Sequence, residues 1–351
     1  MSMEKRTTIK TIAEKLGVAP STVSRAFQPD SRISDSQRAL ILKTAKEMNY
    51  VPNQAASRLN QREMHIGFLI QNIYPAGRDQ LLIGIEEAYQ DFSDYKVSYH
   101  VEFFDETKDC AAYCAELFER CKEDDGIIVS GINSPYLKDE MDRFTKKGRV
   151  VALLQSGFDY PNYLFRVTHH ATVASHMAAE YFSLCTRGLP HRRVIQFTGK
   201  RTLDLHLNAE LAFSSACKEY GIEVTGVYDM NDNEEILSHM AKTILTEERL
   251  AETEGIYITS GLCLPLCRHL EEMGMGDRIF LITTDSFPEL RPYILRRTVN
   301  ASIYQNFYQQ AWSAYVLLAK YLINHAEPPR KDISPHPELI MRSNLEFYKV
   351  P

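Results

Sequence analysis

The sequence predicts a small all-α head followed by a large α/β core of two lobes built on parallel sheets. Three observations carry that prediction. Residues 9–48 hold short helical stripes punctuated by Gly17 and Pro20. From His65 onward, β-like runs alternate with amphipathic stretches. The charge is split as well: residues 1–65 hold 11 Lys and Arg against 6 Asp and Glu, and the remainder hold 29 against 40. A basic head on an acidic body implies that only the head approaches a polyanion.

A chain of 351 residues exceeds one ordinary core, so two or three domains are expected. The hydrophobic share of 44% and the charged share of 25% are those of a soluble globular protein. No apolar run approaches the ~18–20 residues of a membrane span. The opening MSMEKRTTIKT is polar and lacks an apolar leader segment. A cytoplasmic location with reduced thiols and no membrane contact is therefore the expectation. Cys110, Cys114 and Cys121 share one helical face, and Cys263 and Cys267 repeat the i, i+4 spacing. Zinc sites usually use tighter pairs joined to a second pair, so these cysteines are read as buried small apolar side chains. No metal and no cofactor are expected.

In the head, Ile9, Ile12, Ala13 and Leu16 form the stripe of a short amphipathic helix. Gly17 stops it, and Pro20, whose φ is already helical, starts the next one. Val23, Ala26 and Phe27 turn inward there, leaving Ser21, Thr22, Ser24 and Arg25 outward. Two short helices joined by such a turn make a DNA-reading unit whose second helix enters the major groove. Hydroxyls suit phosphates and small base edges, and Arg can grip guanine O6 and N7 together. A third helix follows, with Ser34 and Gln37 as a capping box and Ile41, Leu42, Ala45 and Met48 as its buried face.

The run TIKTIAEKLGVAPSTVSRAF, followed by RISDSQRALILKTAKEMNYVPNQAASRL, resembles the head of the LacI/GalR (lactose-repressor) family of transcriptional regulators over about residues 7–60. The resemblance implies a helix-turn-helix domain over 1–52 and a hinge over 53–63. It implies DNA contacts by Thr8, Pro20, Ser21, Thr22, Ser24 and Arg25. Pro20, Ser21 and Arg25 would govern operator choice, with Thr22 and Ser24 on phosphates. Asn53 and Ala56 would belong to a hinge that becomes helical on operator, and Leu59 would wedge between central base pairs, unstacking them. One residue departs from the pattern. The family commonly has serine before the proline, and Ala19 forgoes about 1 kcal/mol of capping.

Strands are expected in HIGFLIQ, VSYHVEFF, GIIVSG, VVALLQ, VIQFTG, GIYITSG and IFLITTD. Helices are expected over Asp79–Phe92, Ala111–Lys122, Thr172–Leu184, Ala209–Tyr220 and Leu262–Met273. Small molecules bind such sheets outside the carboxyl ends of the strands. The order resembles the family's effector-binding and dimerisation core over 64–351, which is similar to type I periplasmic sugar-binding proteins. Lobe one would take about 65–165 and 298–325, and lobe two about 166–297 and 326–351. A last strand would lie within Leu339–Tyr348.

Carried over residue by residue, Asp285 and Gln305 match an aspartate and a glutamine that contact ligand hydroxyls. Asn72 and Tyr74 lie where polar and aromatic contacts often stand. The sugar-gripping arginine of the family falls on Ala209. Its Asn-Asp becomes Ser260-Gly261, and its Asp-Arg becomes Gln155-Ser156. Arg166, His206 or Asn208 would have to compensate for the absent guanidinium, whose planar fork nothing at Ala209 reproduces. A hexose or pentose, another polyol, a modified sugar, a nucleoside-like compound and no ligand all remain open.

Enzymatic signatures are absent from the chain. TGKRT lacks the upstream glycine of a phosphate-binding loop, since that position is Val194. There is no G-x-S-x-G elbow and no H-E-x-x-H pair. His169-His170 has no partner at metal spacing and caps or flanks a helix. The function expected is a sequence-specific DNA-binding regulator, a repressor, binding double-stranded DNA as a homodimer on a pseudo-palindromic operator. A small-molecule effector between the lobes would move the hinges and heads. The end at LEFYKVP, soon after the last strand, favours a dimer over a tetramer. The rivals are a sequence-blind architectural DNA binder, a regulator that has lost effector binding, and a plain solute-binding protein.

Overall fold

The structure, a computed structural model, describes residues 8–27, 33–48, 50, 62–72, 74–155 and 160–348. The chain divides into two compact units, Met1–Arg62 and Glu63–Pro351. In the first, α1 (Ile9–Leu16), α2 (Pro20–Ala26) and α3 (Asp35–Glu47) enclose a core of Ile12, Ala13, Val23, Ala26, Ile41 and Ala45. Gly17 ends α1 at φ +63°, a left-handed conformation that costs glycine nothing. Thr8 caps α1 in a reciprocal box. Its hydroxyl accepts from the Thr11 amide at 3.3 Å, and its own amide donates to the Thr11 hydroxyl at 2.8 Å. Ser34 accepts from the Gln37 amide at 3.4 Å at the start of α3. One expectation fails in α3: Leu42 is 40% exposed, and Thr44 is buried instead. The face directed inward runs through 41, 44, 45 and 48, so position 42 falls outside its arc.

The second unit alternates strand and helix almost throughout. Its elements, in chain order, begin with β1 (Met64–Gln71), α4 (Pro75–Asp91), β2 (Val97–Phe104), α5 (Ala111–Arg120), β3 (Gly126–Ser130), α6 (Pro135–Lys146), β4 (Val150–Leu154) and β5 (Arg166–Val167). Next come α7 (Ala171–Cys185), β6 (Arg193–Thr198), α8 (Asp204–Glu219), β7 (Glu223–Asp229), α9 (Glu234–Ile244), α10 (Glu247–Ala251), β8 (Gly255–Ile258), α11 (Leu264–Glu272), β9 (Phe280–Thr284) and α12 (Arg291–Arg296). β10 (Ala301–Tyr304), α13 (Phe307–Asn324), β11 (Asp332–Ile333) and β12 (Glu338–Ile340) complete it.

Two six-stranded sheets result, ordered β11-β5-β4-β3-β1-β2 and β12-β10-β9-β8-β6-β7. Every neighbouring pair is parallel except β10 with β12. The central strands are apolar along their whole length because helices cover both faces; β3 and β8 are buried at every residue. Ile66, Phe68 and Ile70 share one core with Tyr315 of α13 and Leu81 of α4, while Leu69 and Val129 face the other side toward α5 and α6. The second sheet is sandwiched in the same way, with Ile195, Phe197 and Ile256 facing α9 and α11, and Val194, Tyr257 and Ile282 facing α7 and α8.

The crossovers between lobes differ from expectation. β5 and β11 pair with each other in the first sheet, and β10 belongs to the second although α13 returns to the first. Backbone pairing decides these cases: Leu153 and Leu154 of β4 align with Arg166 and Val167, and Ala301 aligns with Ile282. The C-terminal strand is Glu338–Ile340, and Leu345–Phe347 forms a 3-10 turn instead. α4 starts at Pro75, one turn earlier than Asp79, because Pro at its first position needs no amide partner.

Candidate functional site

In each sheet the chain reverses its winding direction, between β1 and β3 in one and between β6 and β8 in the other, and carboxyl-end loops diverge there. A cavity of about 110 Å³ lies between the two sets of loops. Gln71, Gly131 and Gln155 reach it from the ends of β1, β3 and β4. Thr259, Ser260, Asp285 and Gln305 reach it from the ends of β8, β9 and β10, and Asp232 from the loop after β7. Leu81, Leu203, Leu205, Leu262 and Phe307 supply apolar wall.

Asp285 sits at the floor, fully buried, with φ +69°. Gln305 donates to it twice, from its backbone amide to Oδ1 at 3.1 Å and from Nε2 to Oδ2 at 3.1 Å. Burial pushes its carboxyl up to about 8 despite those two donors. Asp232 has the opposite balance. Burial would raise it, but the His206 ring at 3.2 Å, the Lys200 amide at 3.0 Å and the Ser260 hydroxyl at 2.8 Å hold it at about 2. His206 also meets the Thr259 hydroxyl at 3.2 Å, so its ring is fixed on both nitrogens. At neutral pH the cavity therefore presents one ionised and one protonated carboxyl.

Tyr74 closes the cavity beside them. Its ring lies edge-on to Phe287 and Phe307, with centroids 6.3 and 5.9 Å away. Its hydroxyl is buried without a hydrogen-bond partner among the described residues. A Cβ on Gly261 would stand 2.3 Å from the Tyr74 Cζ, so only glycine fits beside this ring. Ser260-Gly261 is thus a packing solution as well as a departure from the family pattern.

Bonds across the cleft hold the lobes in register. Lys200, after β6, pairs with Glu106, after β2, and Gln71 donates to the same Glu106 at 3.3 Å. Asn133 donates to the Thr202 carbonyl at 3.2 Å, and Gln80 to the Ser286 carbonyl at 3.0 Å.

Of the expected ligand residues, Tyr74, Gln155, His206, Ser260, Asp285 and Gln305 come together in the cavity. Asn72 stands outside and accepts from Arg78 at 2.8 Å. Arg166 and Asn208 line a separate surface hollow with His169 and His170, and Arg166 is bound to Asp332 at 2.8 Å. His170 caps α7, accepting from the Val173 amide at 3.4 Å. Sequence reasoning missed Gln71, Arg78 and Asp232. Gln71 ends the expected HIGFLIQ strand, so its place was readable. Arg78 depended on the earlier start of α4.

In the first unit, Pro20, Ser21 and Arg25 lie on the exposed side of α2, with Thr22 and Ser24 partly covered. Ala19 makes no side-chain cap to α2. Thr8 is exposed and engaged in its own helix cap. Asn53, Ala56 and Leu59 lie outside the described residues. No described helix is long and apolar enough to cross a membrane.

The description "Bacterial regulatory proteins, lacI family" matches residues 8–53, and "Periplasmic binding protein domain" matches residues 67–326. The regulator NtdR of the NTD biosynthesis operon from Bacillus subtilis is 30% identical over 145 residues, covering 41% of this chain and 42% of that protein. The helix-turn-helix-type transcriptional regulator MalR from Streptococcus pneumoniae is 48% identical over 52 residues, covering 15% and 16%. The chain thus aligns with less than half the length of either relative. Among solved structures, an ABC-transporter solute-binding protein from Burkholderia graminis in complex with D-arabinose superposes with a TM-score of 0.72 at 17% identity, covering 82% of this chain and 99% of that one. With a helix-turn-helix head and a two-lobed core each matched in turn, the chain belongs to the LacI family of bacterial regulatory proteins and carries a periplasmic binding protein domain.

Proposed function

We propose that the protein is a sequence-specific DNA-binding transcriptional regulator, a repressor, whose operator affinity is set by a polar small molecule held between the lobes. The observation that carries the ligand half is the cavity at the strand ends, where Gln71, Gln155, Asp232, Asp285 and Gln305 converge on about 110 Å³. Two carboxyls in opposite protonation states and three carboxamides suit a neutral, hydroxyl-rich ligand that both donates and accepts. Apolar wall from Leu203, Leu205 and Phe307 suits its less polar face.

The DNA half rests on the exposed Ser21 hydroxyl and Arg25 guanidinium of α2 and on the charge split between head and core. The protein acts in the cytoplasm as a homodimer, two heads reading two half-sites. Asn53, Ala56 and Leu59, which lie outside the described residues, would contact the operator as part of the hinge, with Leu59 wedging between central base pairs. Coupling between ligand and operator is expected at about 1–3 kcal/mol, a shift of roughly 5- to 150-fold.

The test is selection of bound sequences from a random DNA pool by the full chain at about 150 mM salt, where non-specific electrostatic binding is weak. An enriched pseudo-palindrome, lost on Arg25→Ala, supports the reading. Uniform weak binding across sequences, in the presence as in the absence of pooled metabolites, refutes it in favour of a sequence-blind binder.

A further inference from the structure

A second constellation lies in lobe one, away from the cleft residues. His100 of β2, Cys121 at the end of α5 and Asp124 before β3 each place one potential donor atom within 4.8 Å of the other two. Cys121 is fully buried, and the Asp124 side chain is 4% exposed. His100 is 35% exposed, leaving one side of the cluster open to solvent.

The cluster is held from outside as well. The Asp124 amide donates to the Cys121 carbonyl at 3.1 Å, which sets the two side chains side by side. The next residue anchors that turn to β1: the Asp125 amide donates to the His65 carbonyl at 2.9 Å, and the His65 amide donates to the Asp125 carboxylate at 3.1 Å. His100 Nε2 meets Asp124 Oδ2 at 2.8 Å, while its Nδ1 faces Glu102 at 3.8 Å. Glu102 in turn is gripped by Arg120 at 2.8 Å. A carboxylate behind the outer nitrogen is what orients a ligating imidazole in metal sites. Gly67 stands opposite His100 in the β1–β2 register. A Cβ there would fall 2.3 Å from Asp124 Oδ2 and 3.2 Å from His100 Nε2, so glycine keeps the space clear.

We propose that His100, Cys121 and Asp124 form a binding site for a single thiophilic divalent cation, Zn²⁺ fitting best, with the fourth position open to water. Mixed sulfur, nitrogen and oxygen donors exclude Mg²⁺ and Ca²⁺, which take oxygen alone. Around a tetrahedral Zn²⁺, donor atoms at about 2.0–2.3 Å from the ion stand about 3.3–3.8 Å apart. The observed spacing needs only small side-chain adjustments to reach that. A plain His–Asp ion pair would explain two of the three residues, and apolar packing alone would explain the buried Cys121; a metal site is the reading that uses all three donors together. The expectation of no metal rested on spacing along the chain, whereas this set is assembled between a strand and the turn that leads to the next strand.

The experiment strips the purified full chain with a chelator and titrates it with Co²⁺ as a spectroscopic probe, then displaces Co²⁺ with Zn²⁺. The expected result is one equivalent bound, a thiolate-to-cobalt charge-transfer band, and a higher melting temperature with Zn²⁺. Cys121→Ser abolishes the band, and His100→Gln weakens Zn²⁺ binding at least ten-fold. Cys110→Ser, at an exposed thiol, changes neither. Should Cys121→Ser fail to fold, His100→Gln and Cys110→Ser decide between them. No band in the native chain, or a band and affinity unchanged by His100→Gln, overturns the site.

Discussion

Replacing Asp285 by Asn removes one titrating group from the floor of the cleft while keeping an oxygen for the Gln305 amide. The Gln305 carboxamide can rotate to face the new amide. In the folded protein Asp285 titrates at about 8, against an ordinary value of 3.8. A carboxyl raised by folding contributes its stability below about pH 4 and loses it as pH rises toward 8, because the unfolded chain ionises first. At pH 7 the unfolded state gains about 3.2 units of ionisation free energy, or about 4 kcal/mol at 1.36 kcal/mol per unit. Asp285→Asn is therefore expected to stabilise the core. That gain relative to the native chain should grow by about 3 kcal/mol between pH 5 and pH 7.5. Urea unfolding of both proteins across that range measures it directly. A difference that stays constant with pH would mean that Asp285 is already ionised in the folded protein, and the reading of a protonated cleft carboxyl would fall.

Asp232→Asn is expected to show the opposite slope. Its carboxylate, held at about 2, contributes about 2 kcal/mol above pH 4 that disappears as pH falls toward 2, measurable by the same unfolding series. Gly261→Ala drives a methyl into Tyr74 and should cost about 1–3 kcal/mol, read as a lowered urea midpoint. Ala19→Ser supplies the missing cap of α2 and should stabilise the head by about 1 kcal/mol, seen as a raised first transition in circular dichroism melting.

The expected strands all exist; the central ones are runs of β-branched and apolar residues buried on both faces, as in GIIVS and GIYI, whereas the edge strand VSYHVEFF is only half-buried. β7 escaped notice because EVTGVYD is nowhere fully buried, being an edge strand with Gly226 in its middle. β5 and β11, two residues each, carry no periodicity to read. The same limits governed the cleft. Asp285 and Gln305 were legible through the family resemblance; Asp285 also closes the expected IFLITTD run, whereas Gln305 follows β10, which was not among the expected strands. Asp232 was not, since it lies in a turn at φ +47° beyond a strand that had not been recognised. Arg166 was misplaced for a different reason. Its partner Asp332 is 166 positions away, and only the pairing of β5 with β11 brings the two together.

What distinguishes the cleft energetically is that its costs sit together. Gln155, Asp232, Asp285 and Asn306 all adopt left-handed φ without being glycine, and three of them end or follow strands that feed the cavity. The Tyr74 hydroxyl, Gln80 Oε1, Ser286 Oγ and Gln310 Oε1 are buried without partners among the described residues, and they cluster on the elements around Asp285. Gln80 spends its amide on the Ser286 carbonyl, and Gln310 spends its own on the Gln305 carbonyl, so the orphaned oxygens belong to residues already committed to holding this floor. Each orphan costs about 1–3 kcal/mol and each strained backbone position a similar amount. Such costs persist only where the surrounding sheets are over-determined, and here the strands that end at the cavity are largely buried and pair in parallel with one another. A ligand that hydrogen-bonds to the Tyr74 hydroxyl and to Asp285 would relieve part of this cost, and that relief would add to its affinity. On the proposed function, the pH slope of Asp285→Asn and a ligand dependence of operator binding would therefore draw on the same stored free energy.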